Sequence, residues 1–220
     1  MEDRASESMP SEMPERLVRP PPRRPVRLGP LVRGAVLSVV FGILVTGFAY
    51  PILITGFAQL VSPTIGFDAN GGFLYRNGTL VGSSYLAQNL SAPFLFWERP
   101  SLTDYNTTIG DPSPPGPTDP ALGALLNETI AYMLRYGNSS VNGTFPLSLV
   151  SPSASNFDPQ VPPDAALVQV PRVAQYTNLT IAFLNNFVNE HIVHPVLPGV
   201  GVEYVNILEL DIDLLNLLGK

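Results

Sequence analysis

An uncharged, strongly apolar stretch near the N-terminus constrains this chain more than any other feature. From Gly34 to Phe67 the sequence contains no Asp, Glu, Lys or Arg, and a helix needs only about 20 apolar residues to cross a bilayer. A core helix of a soluble domain would show a polar face, which this stretch lacks. The apolar run of a cleavable signal peptide is shorter, about 7 to 15 residues. We therefore predict a retained transmembrane anchor over residues 31–60.

Basic residues flank only the N-terminal side of this anchor. Seven of the twelve Lys and Arg residues precede Gly34, and no acid interrupts the stretch from Arg16 to Arg33. By the positive-inside rule, this distribution predicts a cytoplasmic N-terminus, a cell-membrane location and an extracytoplasmic C-terminal domain. Residues 1–30 are rich in Pro and Arg, and we expect them to form a disordered cytoplasmic tail.

Small residues recur at intervals of four within the anchor, at Gly34, Ser38, Gly42 and Thr46. This spacing places them along one face of a helix, where small side chains allow a second membrane helix to pack closely. Small residues are also common in membrane spans that have no such partner, so both interpretations stay open. Pro51 predicts a kink, after which the helix continues to about residue 60.

Residues 61–220 predict one small mixed domain of the α+β class, because helical and strand patterns do not alternate regularly. The clearest signals are a hairpin turn at Asn77-Gly78, a helix opened by Asp119-Pro120, and an amphipathic helix over Leu179–Ile192. Other expectations are a short helix within Tyr85–Pro93, a buried aromatic stretch at Phe94–Trp97, a loop at Thr107–Pro120, a strand at Leu147–Val150, a helix capped by Asp164, and a β-prone run at Tyr204–Asp213 with Asp211 and Asp213 on its solvated face.

The residue types argue against self-contained catalysis. The chain has no Cys and only two His, His191 and His194, and with Glu190 and Glu203 nearby they do not complete a four-ligand metal site. There is no G-x-S-x-G elbow or phosphate-binding Gly-rich loop, and the only Lys is Lys220. Thirteen acids against five bases after the anchor, a net charge of −8, argue against nucleic-acid binding. We predict a binding or accessory subunit that holds no metal or cofactor by itself.

Asn-x-Ser/Thr triplets occur only after the anchor, which agrees with the predicted orientation. Asn138 and Asn142, in a Gly-bounded loop, are the most accessible glycosylation candidates. A rival prediction is therefore a single-pass surface protein with a glycosylated binding or adhesive domain, and a membrane-tethered enzyme comes third. The seven triplets begin at Asn77, Asn89, Asn106, Asn127, Asn138, Asn142 and Asn178.

A collinear set of short motifs resembles the C subunit of the Kdp-type, ATP-driven potassium uptake complex. The resemblance runs from about Thr46 to the C-terminus. Two positions depart from the family pattern: Glu98 precedes Arg99 where a His-Pro is usual, and Gln160 stands where a His is usual. The motifs are Thr46-Gly-Phe-Ala-Tyr-Pro, Leu80-Val-Gly-Ser, Gln88-Asn89, Arg99-Pro-Ser, Asp104-Tyr-Asn, Gly116-Pro-Thr-Asp-Pro, Ser153-Ala-Ser, Asp158-Pro, Gln169-Val-Pro-Arg-Val-Ala and Val205-Asn-Ile-Leu-Glu-Leu.

The resemblance implies three partners: a channel-like potassium-translocating subunit, a P-type ATPase subunit and a small single-span subunit. ATP, Mg²⁺ and K⁺ belong to the whole complex, where the C subunit is expected to support assembly and raise the ATP affinity of the ATPase. The predicted topology separates Gln88 from cytoplasmic ATP, so any such effect would be indirect. The candidate partner or nucleotide-linked residues are Ser83, Gln88, Asn89, Arg99, Ser101, Asp104, Asp158, Gln169 and Arg172.

A structural role for these nine residues is the alternative. Arg99 and Arg172 could pair internally with Asp104 and Asp158, and Ser83 could cap a helix. Arg172 follows a Pro at a predicted helix start, from which it could otherwise face a partner.

Overall fold

The computed structural model describes residues 28–109, 114–137, 143–197 and 199–220. The chain divides into two compact units, Met1–Ile54 and Thr55–Lys220. Most of the predicted tail and both glycosylation candidates, Asn138 and Asn142, lie outside the described residues.

One continuous apolar helix runs from Leu28 to Ile65 and is long enough to cross a membrane. It comprises α1 (Leu28–Gly42), a π-helical segment (Ile43–Ala49) and α2 (Tyr50–Ile65), and none of its residues is buried. The π segment ends at Ala49, two residues before Pro51, whose missing N–H interrupts the regular hydrogen-bond ladder.

A two-stranded antiparallel hairpin follows this helix. Strands β1 (Phe73–Arg76) and β2 (Thr79–Ser83) pair across Asn77 and Gly78, which both have positive φ angles of 51° and 77°. Two consecutive left-handed residues are the requirement of a type I′ turn, so the predicted hairpin is confirmed together with its cause.

A small antiparallel sheet has the strand order β3-β5-β4. Because its central strand comes last in the chain, the C-terminal segment closes the sheet. The strands are β3 (Gln160–Val161), β4 (Ile192–Val193) and β5 (Tyr204–Asn206).

Six helices accompany the strands in the described part of the second unit. Asp119 caps the first of them by accepting from the Ala121 N–H at 2.9 Å, and Thr180 caps α7 by accepting from the Phe183 N–H at 3.2 Å. The helices predicted after Asp119 and within Leu179–Ile192 are thus confirmed. The six are α3 (Pro120–Tyr136), α4 (Leu147–Val150), α5 (Pro163–Leu167), α6 (Val170–Thr177), α7 (Ile181–Glu190) and α8 (Ile207–Leu217).

Several local predictions were wrong. Leu147–Val150 is a helical turn, and Tyr85–Pro93 forms no helix. The β-prone run at Tyr204–Asp213 is a three-residue strand followed by α8, because the Asn206 side chain caps a helix by accepting from the Glu209 N–H. Asp164 lies inside the first turn of α5 and does not cap it.

The core joins the helices to the sheet and to the aromatic segment Phe94–Trp97. This segment belongs to no helix or strand, although Phe96 is fully buried and Trp97 is 5% exposed. The predicted burial of this stretch is therefore confirmed for its last three residues, while Phe94 is half-buried. Core residues include Leu149, Val161, Ala165, Val170, Val173, Leu184, Val188, Val205, Ile207, Leu210 and Leu214.

Candidate functional site

Side chains replace secondary structure in holding the buried segment Phe94–Trp97. Gln169 accepts from the Trp97 N–H at 2.7 Å, and its amide donates to the Trp97 carbonyl at 3.0 Å. These two hydrogen bonds replace those that a neighbouring strand would make, and they satisfy backbone groups that water cannot reach. Gln169 is itself fully buried.

Arg172 lies in the core beside Gln169. It donates to the Pro93 carbonyl at 2.6 Å, to the Leu95 carbonyl at 2.8 Å and to Gln169 Oε1 at 2.7 Å. The centre of its guanidinium lies 3.6 Å from the Trp97 ring centroid, a cation–π contact. Burial lowers the pKa of Arg172 to about 10, which leaves it charged at neutral pH.

The alternative in which Arg172 pairs internally with Asp104 or Asp158 was wrong. Its hydrogen bonds go to carbonyl oxygens within the core, because the irregular segment exposes acceptors there.

Asp211, predicted to be solvated, is buried on α8 and accepts from the Phe96 N–H at 2.9 Å. Burial raises its pKa well above the usual value, although the Phe96 bond and the Arg172 charge oppose the shift. The prediction assumed that Asp211 lies on the solvent-exposed face of a strand, whereas α8 directs its carboxyl group into the core.

Arg99 does pair internally with Asp158, at 3.6 Å. Its guanidinium also donates to the Pro152 carbonyl at 3.0 Å. Asp158 in turn accepts from the Gln160 N–H at 3.0 Å. Both side chains are partly exposed, so the pair fixes local chain direction more than it adds stability.

Glu98, a position where the chain departs from the family pattern, is buried in a region of few polar partners. Its Oε2 accepts from the Gln88 N–H at 2.7 Å, while Oε1 has no hydrogen-bond partner among the described residues. Burial, with smaller contributions from the charges of Asp211 and Asp158, raises the pKa of Glu98 to about 9. The Gln88 side chain donates to the Val81 carbonyl at 2.8 Å and so ties Glu98 to β2.

Two open clefts of about 610 and 420 Å³ lie on either side of a shared wall. Asn89, Asp104 and Tyr105 contribute to both clefts, and Asn89 donates to Asp104 at 3.0 Å. Glu98 and Ser101 line the larger cleft, which we name the Glu98 cleft. Five of the nine predicted site residues therefore converge here, namely Ser83, Gln88, Asn89, Ser101 and Asp104.

The loop that carries Asp104 and Tyr105 has an uncommon backbone. Both residues have positive φ angles, 51° and 57°; Asp adopts such angles more often than most L-residues, whereas Tyr seldom does. Ser101 Oγ accepts from the Tyr105 N–H at 2.9 Å, and the Tyr105 hydroxyl donates to the Arg99 carbonyl at 2.8 Å. These bonds hold the strained turn in place and fix the cleft wall.

Ser83, on the wall of the smaller cleft, and the two His have local partners. Ser83 ends β2, where it donates to the Gly71 carbonyl at 2.7 Å, and it caps no helix. His191 contacts Asp213 at 3.0 Å and His194 contacts Glu203 at 2.9 Å, so the two His lie in separate pairs. No cluster of three metal-ligating side chains occurs within the part of the chain that the structure describes.

Sequence reasoning missed Glu98, Tyr105, Tyr132 and Asp211 as members of these networks. The family pattern did single out Glu98 as a departure, but a lone acid beside Trp gave no indication of its burial. Tyr132 lies within contact distance of Trp97, with ring centroids 5.1 Å apart, and no sequence motif indicated this contact.

Comparison with known proteins identifies the family of the chain. A family model described as "K+-transporting ATPase, c chain" matches residues 32–216, from the apolar helix to the end of α8. The chain belongs to the KdpC family. The resemblance drawn from its motifs is thus confirmed, and the KdpC-family match covers both the membrane-competent helix and the second unit.

Relatives named as KdpC subunits align with this chain over most of their own length. The potassium-transporting ATPase KdpC subunit of Ralstonia nicotianae is 37% identical over 189 residues, which cover 84% of this chain and 91% of the relative. The KdpC subunit of Pseudomonas aeruginosa strain PAO1 is 38% identical over 187 residues, 84% of this chain and 97% of the relative. The KdpC subunit of Methylococcus capsulatus is 33% identical over 183 residues, which cover 82% of this chain and 94% of the relative. The chain is therefore an accessory subunit of a potassium uptake complex.

The buried Glu98 predicts a specific dependence of stability on pH. The folded protein holds the Glu98 proton up to a pKa of about 9, whereas an exposed Glu has a pKa of 4.5. Between these values the unfolded chain binds fewer protons, so the free energy of unfolding falls as pH rises, by at most about 1.4 kcal/mol per pH unit. Glu98→Gln cannot ionise and should lose less stability from pH 5 to pH 8 than the parent chain.

Denaturant unfolding of the full chain in detergent at several pH values measures this difference. Asp211 and Glu209 also have raised pKa values, but they remain in both proteins, so the difference between the two slopes reports Glu98 and its interaction with Asp211. Glu128→Gln, which removes an exposed carboxylate of the same cleft, should keep the parental slope. Equal slopes for Glu98→Gln and the parent would show that Glu98 does not titrate in this way.

Proposed function

We propose that this KdpC-family chain acts without catalysis of its own to stabilise an ATP-driven potassium uptake complex and to raise the ATP affinity of its ATPase subunit. The observation that carries the proposal is the family match over residues 32–216. It is supported by the polar networks of the second unit, in which most of the predicted site residues are engaged in internal hydrogen bonds. Such a unit is suited to docking and not to turnover.

The proposed orientation has the N-terminus in the cytoplasm and the second unit outside. The Arg-rich flank before Gly34 supports this topology through the positive-inside rule. The outer unit, with a net charge of −8, would then raise the local concentration of K⁺ near the entrance of the channel-like subunit.

The face of small residues on the apolar helix is the proposed contact with a partner membrane helix. Ser38 donates to the Gly34 carbonyl at 2.9 Å and Thr46 to the Gly42 carbonyl at 2.7 Å. Their hydroxyls are therefore satisfied within the helix, and a side chain added at Gly34 or Gly42 would meet nothing within 4 Å. Contact with a partner would depend on close van der Waals packing.

Any effect on ATP affinity must be indirect under this topology. Gln88 lies in the outer unit, and its side-chain amide already donates to the Val81 carbonyl. Coupling between a membrane helix and a distant nucleotide site is ordinarily worth about 1 to 3 kcal/mol. The channel-like subunit, the P-type ATPase subunit and the small single-span subunit are the proposed partners, and ATP, Mg²⁺ and K⁺ are bound by them.

The proposed topology can be tested by labelling, because the chain contains no Cys. Val202→Cys introduces a thiol at a residue that is 80% exposed in the outer unit, and Ser8→Cys introduces one in the tail. A membrane-impermeant maleimide should label the first in intact cells and the second only after permeabilisation. Labelling of the tail thiol in intact cells would overturn the orientation.

Gly42→Leu is predicted to impair assembly and, with it, ATP affinity. A bulky side chain on a packed face costs about 1 to 3 kcal/mol, which corresponds to about a 5- to 150-fold loss of co-purifying ATPase subunit. The apparent KM for ATP of the remaining complex should move toward that of a complex lacking this chain.

Val40→Phe is the control, because Val40 lies about 160° around the same helix from Gly42 and the substitution also adds bulk. It should assemble and turn over ATP like the parent. Normal assembly and normal KM in Gly42→Leu would show that this face does not contact a partner.

A further inference from the structure

The Glu98 cleft combines negative charge with aromatic surface. Its walls include three acids and three aromatic rings, and the described residues contribute no Lys, Arg or His to them. Its volume, about 610 Å³, lies within the usual range of about 300 to 1,000 Å³ for small-molecule sites. The acids are Glu98, Asp104 and Glu128, and the rings are those of Trp97, Tyr105 and Tyr132.

Glu98 points independently to a missing partner. It is only 4% exposed, and its Oε1 has no hydrogen-bond partner among the described residues. A buried carboxyl oxygen without a partner carries a desolvation cost of about 1 to 3 kcal/mol, and more when the group is charged. An unsatisfied buried group of this kind needs a specific explanation, and a bound ligand that supplies the missing contact is one.

The three carboxylates do not form a metal centre. No group of three metal-ligating side chains within the described residues is close enough to share one ion. Carboxylates spread along an aromatic-lined cleft match instead an extended cation, because an ammonium or guanidinium group interacts favourably with both an anion and a ring face.

We propose that the Glu98 cleft binds an organic cation that carries an alkylammonium or guanidinium group, with Glu98 as its principal anionic partner. Asp104 and Glu128 supply further negative charge at the walls, and Tyr105 and Tyr132 supply ring surface. The proposal rests on the geometry of the outer unit and not on the role of this chain in the complex.

Binding of such a cation is linked to the proton on Glu98. The pKa of Glu98 is raised to about 9 chiefly by burial, and Asp211 and Asp158 are the charged groups that add to the shift. The Tyr105 hydroxyl also faces it, and burial raises the pKa of that group above its usual range. A bound cation favours the ionised carboxylate, so binding should release a proton and strengthen as pH rises from 6 to 8.

The single Trp of the chain provides the readout, because Trp97 lines the cleft. Agmatine, which carries an ammonium and a guanidinium group, is titrated into the full chain in detergent while Trp fluorescence is recorded at constant ionic strength. We expect saturable binding that is at least threefold tighter at pH 8 than at pH 6. 1,4-Butanediol, a neutral molecule of similar length, and KCl should give no saturable change.

Glu98→Gln should weaken agmatine binding at least tenfold and abolish its pH dependence. Glu190→Gln, the same substitution at an exposed residue outside the cleft, should bind like the parent. Glu128→Gln should weaken binding about threefold, and because this side chain is exposed the variant tests the site even if Glu98→Gln does not fold.

Absence of saturable binding up to 10 mM agmatine, or parental affinity in both Glu98→Gln and Glu128→Gln, would overturn the proposal. Repeating the titration on the assembled complex identifies the source of the cation. Retained binding indicates a free small molecule, whereas binding seen only in the isolated chain indicates that a Lys or Arg of a partner fills the cleft. Either result agrees with the chemistry assigned to the site.

Discussion

The structure of the second unit depends on the pairing of Gln169 with the backbone of Trp97. The segment Phe94–Trp97 is buried without belonging to a helix or strand, so its N–H and carbonyl groups need other partners. Gln169 and Arg172 on α6 and Asp211 on α8 supply them. One irregular segment is thereby joined to two helices, and the core is assembled around this junction.

The same junction positions the surface on which function is proposed. Trp97 and Glu98 are neighbours, so fixing the Trp97 backbone also fixes the wall of the Glu98 cleft. Gln88 then connects Glu98 to β2 through two hydrogen bonds of 2.7 and 2.8 Å. Residues that the family pattern marked for a partner or nucleotide thus serve first to hold the cleft in shape.

The sequence predicted features whose causes are local. The apolar helix follows from the absence of charge, the hairpin from Asn77-Gly78, and the start of α3 from Asp119-Pro120. The sequence did not predict features that arise from contacts between distant residues. Asp211 resembles a solvated acid in sequence, but α8 places it against the Phe96 backbone. Arg172 was likewise expected to pair with acids. Its actual acceptors are backbone carbonyl groups of an irregular segment, which no sequence pattern indicates.

The central claim is that buried side chains, not secondary structure, hold the segment Phe94–Trp97. Amide hydrogen exchange of the full chain, comparing Arg172→Met with Arg135→Met, tests it most directly, since Arg135 is exposed in the last turn of α3. The account predicts that Arg172→Met accelerates exchange at the Phe96 and Trp97 amides at least tenfold and that Arg135→Met leaves it unchanged. Equal protection of these amides in both variants would contradict it.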